Sequence, residues 1–224
     1  MAQQYNCLVF DVDGTLLDTS EGMLSAVRYT IERFGLEPLN EETIKSFIGP
    51  PIQHSFQRVY GFADDVIADM AAVFRERYKE KDLLLAKAYD GIYDVMDHLQ
   101  QTGTAIAIAT YKREDYAARL LHAFGFDRYT DLIFGSDFEG RLRKKDIIEL
   151  ALKKAGIADH AKALMVGDSD NDAIGAAEIG TDFLGVTYGF GFKTRADVER
   201  FCAVGTADAP REIIDFLVGG QLCK

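Results

Sequence analysis

The sequence predicts an α/β fold: a doubly wound, mostly parallel sheet interrupted by an all-helical insertion. Three observations carry that reading. Apolar, β-leaning runs of strand length alternate with amphipathic stretches of helical period from Ala88 to the C-terminal region. The first such run, Cys7 to Phe10, ends abruptly in Asp11-Val12-Asp13-Gly14-Thr15. Between Leu17 and about Ala86 strand candidates are absent and helical patterns follow one another.

In that insertion Glu21 to Phe34 places Met23, Leu24, Val27, Ile31 and Phe34 at helical spacing. Asp18, Thr19 or Ser20 is available as the N-cap, and Gly35 stands where the helix would stop. A short helix from Glu41 to Phe47 runs into Ile48-Gly49-Pro50-Pro51, where two prolines without amide donors forbid its continuation. Helical patterning resumes over Ile52–Val59 and Asp64–Lys81. The sequence thus divides into a core of residues 1–16 and 87–224 and a helical insert of residues 17–86.

The core then alternates. Helix Gly91–Gln101 precedes strand Thr104–Thr110, and helix Glu114–Phe124, closed by Gly125, precedes strand Leu132–Phe134. Helix Asp146–Ala155 leads to strand Ala163–Val166, and helix Ala173–Ile179 to strand Phe183–Val186. Phe201–Val204 reads as a last edge strand and Ala209–Leu217 as the final helix.

With 48% hydrophobic and 27% charged residues in 224, the composition is that of an ordinary folded protein. A formal net charge of −11 argues against sequence-independent binding to nucleic acid phosphates. No signal peptide precedes the first strand and no apolar run is long enough to span a bilayer, so a cytoplasmic protein without membrane or nucleic acid partners is expected. Cys7, Cys202 and Cys223 lack metal-ligand spacing and read as two core residues and one tail thiol. Monomer and dimer stay equally open. Gly-x-x-x-x-Gly-Lys and a post-strand Gly-x-Gly-x-x-Gly are both absent, against triphosphatase and dehydrogenase readings.

Chemistry-bearing residues fall where strands are expected to end: Asp11 and Asp13, Thr110, the basic run Arg141 to Lys145, and Asp168 with Asp170 and Asp172. In a parallel sheet those ends share one edge, so distant residues would converge on one crevice. Each has a bland explanation. Asp13-Gly14 is also a common turn, and Thr110 an ordinary strand-end hydroxyl. The basic run could be a solvated helix start, although cations there oppose the helix dipole. The alternating acids resemble a calcium loop, but its sixth and twelfth positions are Ala173 and Ile179 rather than Gly and Glu. One helix N-cap accounts for one of these acids, not three.

Crowded carboxylates repel one another unless a cation intervenes, and oxygen-only ligation suits Mg²⁺. A carboxylate can also attack phosphorus, though it repels a phosphate by ~4 kcal/mol per charge pair at contact and an effective dielectric near 20. A metal ion and a lysine at the same oxygens reverse that sign. A second acid could protonate the leaving oxygen and later activate water. Asp11, Asp13, Lys144 or Lys145, and Asp168 match these parts.

In this order, Asp11-Val12-Asp13-Gly14-Thr15, Thr110, Lys144 and Gly167-Asp168-x-x-x-Asp172 resemble the four motifs of the haloacid dehalogenase superfamily. Phe47-Ile48-Gly49-Pro50-Pro51, Gly135-Ser136 and Val186-Thr187-Tyr188-Gly189-Phe190-Gly191 bring the chain nearest to the phosphoglycolate phosphatase-like branch. The resemblance implies a Rossmann-like core with a small helical cap. It implies that Asp11 is the nucleophile and a Mg²⁺ ligand, and that Asp13 is the general acid/base and lends its backbone carbonyl to the metal. Thr110 would hydrogen-bond the transferring phosphoryl group, with Gly14, Thr15 and the backbone of Tyr111 alongside. Lys144 would neutralise it and is preferred over Lys145 for its distance from Ile147-Ile148. Asp168 would ligate Mg²⁺, with Asp172 a ligand or an orienting residue. Tyr111 stands where many relatives have Asn, and Lys145 where many have Pro.

The expected activity is Mg²⁺-dependent hydrolysis of a small phosphate monoester through an aspartyl-phosphate, with a small phosphorylated metabolite as partner. A β-phosphoglucomutase-like sugar phosphomutase and a 5′-nucleotidase are the alternatives; a non-catalytic phosphate-binding module is disfavoured by the paired acids. Gly49, Gln53 and His54 in the cap, and Arg113 and Arg141 in the core, are candidates for contacting the rest of the substrate.

Overall fold

A computed structural model describes residues 5–137 and 141–219. The chain forms two compact units, residues 1–18 with 88–224 and residues 19–87.

The first unit is built on a six-stranded sheet. Strands β1 (Cys7–Phe10), β4 (Ala105–Arg113), β5 (Ile133–Ser136), β6 (Ala163–Gly167), β7 (Asp182–Val186) and β8 (Ala203–Ala207) lie in the order β5-β4-β1-β6-β7-β8. All neighbouring pairs are parallel. β1 is therefore central, with Cys7 beside both Ala105 and Ala163 and Phe10 beside both Ile108 and Val166. Being buried on both faces, it needs a continuous apolar run, and all four of its residues are buried. Successive side chains alternate across the sheet. Cys7 and Val9 join Ala107, Ala109 and Met165 against Ile147, Ile148, Ala151 and Leu152 of helix α7 (Lys144–Lys154). Leu8 and Phe10 take the opposite face.

Connections between strands are helical, as parallel pairing requires: α5 (Ile92–Thr102), α6 (Glu114–Ala123), α7, α8 (Asp170–Glu178) and a short α9 (Arg195–Val198), while α10 (Pro210–Gly219) follows the last strand. Several bounds differ from the sequence reading, each for a local reason. β4 continues three residues past Thr110, with a register irregularity between Ala109 and Arg113. Helix α7 begins at Lys144 rather than Asp146, because the Asp146 carboxylate accepts the Arg143 N–H and closes the first turn. Helix α8 begins at Asp170 rather than Ala173, because Asp172 receives Ser169 N–H and Oγ in the same way. The last strand is displaced to Ala203–Ala207, where Gly205 and Thr206 pair with Leu184 and Gly185. Cys7 is buried, but Cys202 precedes that strand and is exposed, so the expectation of two core cysteines fails at Cys202. Cys223 lies outside the described residues.

The second unit holds α1 (Ser20–Arg33), α2 (Glu41–Lys45), α3 (Ile52–Tyr60) and α4 (Asp64–Arg77). Strand pairing is not wholly absent near it, because β2 (Leu17–Asp18) and β3 (Lys87–Ala88) form a two-stranded ribbon. Gly35 takes φ +65° after α1, and the Asn40 side chain caps α2 by accepting Thr43 N–H at 2.8 Å. The helix expected to run to Lys81 changes after Arg77 into one π-helical turn, Tyr78–Asp82. Its buried Asp82 receives Arg77 through Nε at 2.8 Å and Nη2 at 3.1 Å. Gly22 accounts for the close approach of that turn, since a Cβ there would meet the carbonyls of Asp82 and Leu85.

Candidate active site

The C-terminal ends of β1, β4 and β6 bring residues separated by more than 150 positions into contact. Asp11 follows β1 directly and its N–H donates to Val166 O of β6 at 3.0 Å. Asp168 follows β6, and Asp172 lies in the first turn of α8. Oxygens of Asp11, Asp168 and Asp172, all buried, lie within 4.8 Å of one another. Into this group reaches Lys144 from the first turn of α7, with Nζ 2.6 Å from Asp11 Oδ1 and 2.6 Å from Asp172 Oδ1. The lysine is 3% exposed. Lys145, one position on, turns outward to Glu178 at 3.9 Å.

Each acid is held by a different device. Asp172 uses its two oxygens separately: Oδ2 receives Ser169 N and Oγ at 3.1 and 2.7 Å, while Oδ1 faces Lys144. Gly167 is required behind it, because a Cβ there would meet the Asp172 carboxylate. Asp168 Oδ2 accepts the N–H groups of Phe190 and Gly191 at 2.6 and 3.0 Å, and its carbonyl accepts Phe192 N–H at 2.7 Å. The Gly189-Phe190-Gly191 loop can wrap this closely only without side chains at its glycines, where a Cβ would meet Asp168 or the Gly14 carbonyl. Lys193 Nζ braces the loop through Gly189 O at 2.6 Å. In the sequence this loop is legible only as a family feature; its hold on Asp168 is signalled by no more than a Gly-x-Gly after a strand.

After Asp11 the backbone turns at once. Gly14 adopts φ +83° and donates to Leu17 O at 2.9 Å, while Tyr188 OH donates to Thr15 O at 3.1 Å. Thr15 is fully buried. The Asp13 carboxylate does not enter the three-acid cluster; its Oδ1 lies 3.1 Å from Nζ of Lys112, a residue that sequence reading passed over. Thr110 is buried, and its Oγ1 accepts Lys112 N–H at 3.1 Å. That bond leaves the hydroxyl proton available for donation elsewhere. Tyr111 is exposed, and its hydroxyl accepts the Lys144 N–H at 2.9 Å, satisfying a free donor of the first turn of α7.

The other candidates of the sequence reading have partners or surroundings of their own. Arg113 Nη2 bonds Asp115 Oδ2 at 2.6 Å and its guanidinium stacks 3.8 Å from the Tyr116 ring centroid, both on α6. Arg141 is exposed, with its N–H on Asp137 Oδ1 at 2.8 Å. Gly49, at φ +102°, the half-buried Gln53 and the exposed His54 belong to the helical unit.

Burial pushes the Asp11 carboxyl up to about 7 against the pull of Lys144, and Asp172, Asp168 and Asp13 raise it further. Asp168 is pushed up to about 6 by burial and by Asp172, with the N–H groups of Gly191 and Phe190 opposing. Burial alone would depress Lys144, but Asp11 and Asp172 more than reverse this and keep it protonated. When ionised, the three carboxylates carry three negative charges against the one positive charge of Lys144, an excess of two. That is the charge of one divalent cation, and the all-oxygen donor set fits a hard one.

The family description of haloacid dehalogenase-like hydrolases matches residues 8–186. Among curated relatives, a 5′-nucleotidase from Pseudomonas aeruginosa is 34% identical over 85% of this chain and 86% of its own. A phosphoglycolate phosphatase from Agrobacterium fabrum is 30% identical over 81% of this chain and 80% of its own. Among solved structures, a haloacid dehalogenase-like family hydrolase from Streptococcus pneumoniae superposes with a TM-score of 0.86 at 30% identity, covering 95% and 98% of the two chains. With its motif residues gathered at three adjacent strand ends and this similarity along most of its length, the chain belongs to the haloacid dehalogenase-like hydrolases.

Proposed function

We propose that this hydrolase is a Mg²⁺-dependent phosphatase that cleaves a small phosphate monoester through a phosphoryl group carried on Asp11. The observation that supports this most is the placing of Asp11 at the central strand end, between the Lys144 ammonium and two further acids. Asp11, Asp168 and Asp172 would hold the cation, with the Asp13 carbonyl as a fourth oxygen. When bound, it would offset the carboxylate charge and that of the phosphoryl oxygens.

The chain's own residues then divide the work. An Asp11 carboxylate oxygen attacks phosphorus, the ester P–O bond breaks, and Asp13 gives its proton to the departing oxygen. Thr110 donates its free hydroxyl proton to a phosphoryl oxygen, and Lys144 offsets the charge gathering there. In the second half, Asp13 takes a proton from water, the water oxygen bonds to phosphorus, and the Asp11–phosphorus bond breaks to release inorganic phosphate.

The helical unit serves in this reading as the cap that selects the substrate, through the turn at Gly49 and through Gln53 and His54. Two named relatives, a 5′-nucleotidase and a phosphoglycolate phosphatase, make 5′-nucleotides and phosphoglycolate the first compounds to assay. A panel of metabolite phosphates with Mg²⁺, ranked by kcat/KM, tests the proposal. Free phosphate is expected as product, and Asp11→Asn should lower turnover by at least about 10³-fold. Near-normal activity of that variant would rule the mechanism out.

A further inference from the structure

Lys112 has no place in the chemistry described so far, yet its side chain is only 6% exposed. A lysine that loses most of its solvation is retained where a carboxylate answers it, and Asp13 Oδ1 does so at 3.1 Å. Its position follows from the irregular end of β4, where the register shifts between Ala109 and Arg113. There the Lys112 N–H turns back onto the Thr110 hydroxyl at 3.1 Å. One short segment thus fixes the Thr110 hydroxyl by its backbone and the Asp13 carboxylate by its side chain. The two acids of Asp11-Val12-Asp13 are met by different ammonium groups, Asp11 by Lys144 and Asp13 by Lys112.

We propose that Lys112 is a positioning residue that holds the Asp13 carboxylate in the orientation needed for proton transfer to the leaving oxygen. The proposal rests on the assignment of Asp13 as general acid/base. An acid acts only within hydrogen-bond reach of the atom it serves, and an error of about 1 Å in such geometry costs about 10²-fold in rate. The Asp13 side chain is 29% exposed and comes from a loop that turns at the next residue, so an anchor narrows the orientations open to it.

The test compares Lys112→Met, which removes the charge at similar volume, with Lys112→Arg, which restores a cation. The readout is kcat/KM, which covers steps only as far as departure of the leaving group. For an alkyl ester (a 5′-nucleoside monophosphate or phosphoglycolate, whichever the wild type turns over faster), Lys112→Met should lower it about 10- to 100-fold. For 4-nitrophenyl phosphate, whose leaving group needs no proton, the loss should stay within about threefold. Lys112→Arg should recover part of the alkyl-ester activity. In an Asp13→Asn background, Lys112→Met should change the alkyl-ester rate by no more than about twofold. Equal losses on both esters overturn the proposal, because they make Lys112 a substrate-binding group. So does a full additional loss in the Asp13→Asn background, or failure of both Lys112→Met and Lys112→Gln to fold. An Asp13→Asn enzyme with near wild-type alkyl-ester activity removes the acid/base reading itself, a result separable from every outcome at Lys112.

Discussion

At the residue scale, the site is governed by how many charges one lysine must balance. Lys144 meets two carboxylates at 2.6 Å each, with a third acid in the same cluster. Lys144→Met should therefore cost activity by about 10²-fold or more and also weaken the fold, since it leaves buried acids without their cation. Activity and thermal melting of the variant check both effects. The raised carboxyls of Asp11 and Asp168 set a pH dependence with a definite sign. The unfolded chain releases these protons near 3.8, whereas the folded one keeps them to about 6 and about 7. Between those limits the folded state holds more protons, so its stability falls as pH rises. Without divalent metal, the urea midpoint should decline from about pH 4 to about pH 7, and Asp11→Asn with Asp168→Asn should flatten the decline. Below pH 4 the lowered carboxyls of Asp115, Asp197 and Asp208 act in the opposite direction.

At the element scale, the site depends on where strands stop and which loops can approach. The Gly189-Phe190-Gly191 loop supplies two N–H groups to one oxygen of Asp168. Gly191→Ala would place a methyl group against the Asp168 carbonyl, so the loop must lift and those bonds lengthen. The expected result is weaker activation by Mg²⁺, by about tenfold or more in the half-activating concentration, with little change in α-helix content. Metal titration of activity and far-UV circular dichroism distinguish this from general unfolding. In the helical unit, the Arg77–Asp82 pair closes the π-helical turn. Arg77 retains 31% exposure, so Asp82→Ala should destabilise by only about 1–3 kcal/mol, below the cost of breaking a fully buried pair. Hydrogen exchange should register the loss in residues 19–87 first.

At the scale of the whole molecule, the alternation of apolar runs and amphipathic helices made the sheet legible in sequence, because each parallel strand must be buried and each crossover must cover it. Asp11 and Asp168 were legible too, since acids directly after strands in such a sheet share an edge, and Asp172 follows one helical turn behind Asp168. The residues alone left Lys144 and Lys145 open and only the family resemblance favoured Lys144; the helix beginning at Lys144 turns that lysine inward and its neighbour outward to Glu178. Lys112, the Tyr111 bond to the α7 amide, and the loop bonds on Asp168 were not legible. They depend on the register irregularity of β4 and on backbone amides, and neither leaves a mark in side-chain type or period. By itself the sequence determined the fold class, the helical insertion and the acids at the strand ends, because these follow from periodicity and from the shared edge of a parallel sheet. Tertiary structure alone decided which ammonium faces which carboxylate, because strand-end irregularity and helix phase aim each side chain only once the sheet is assembled.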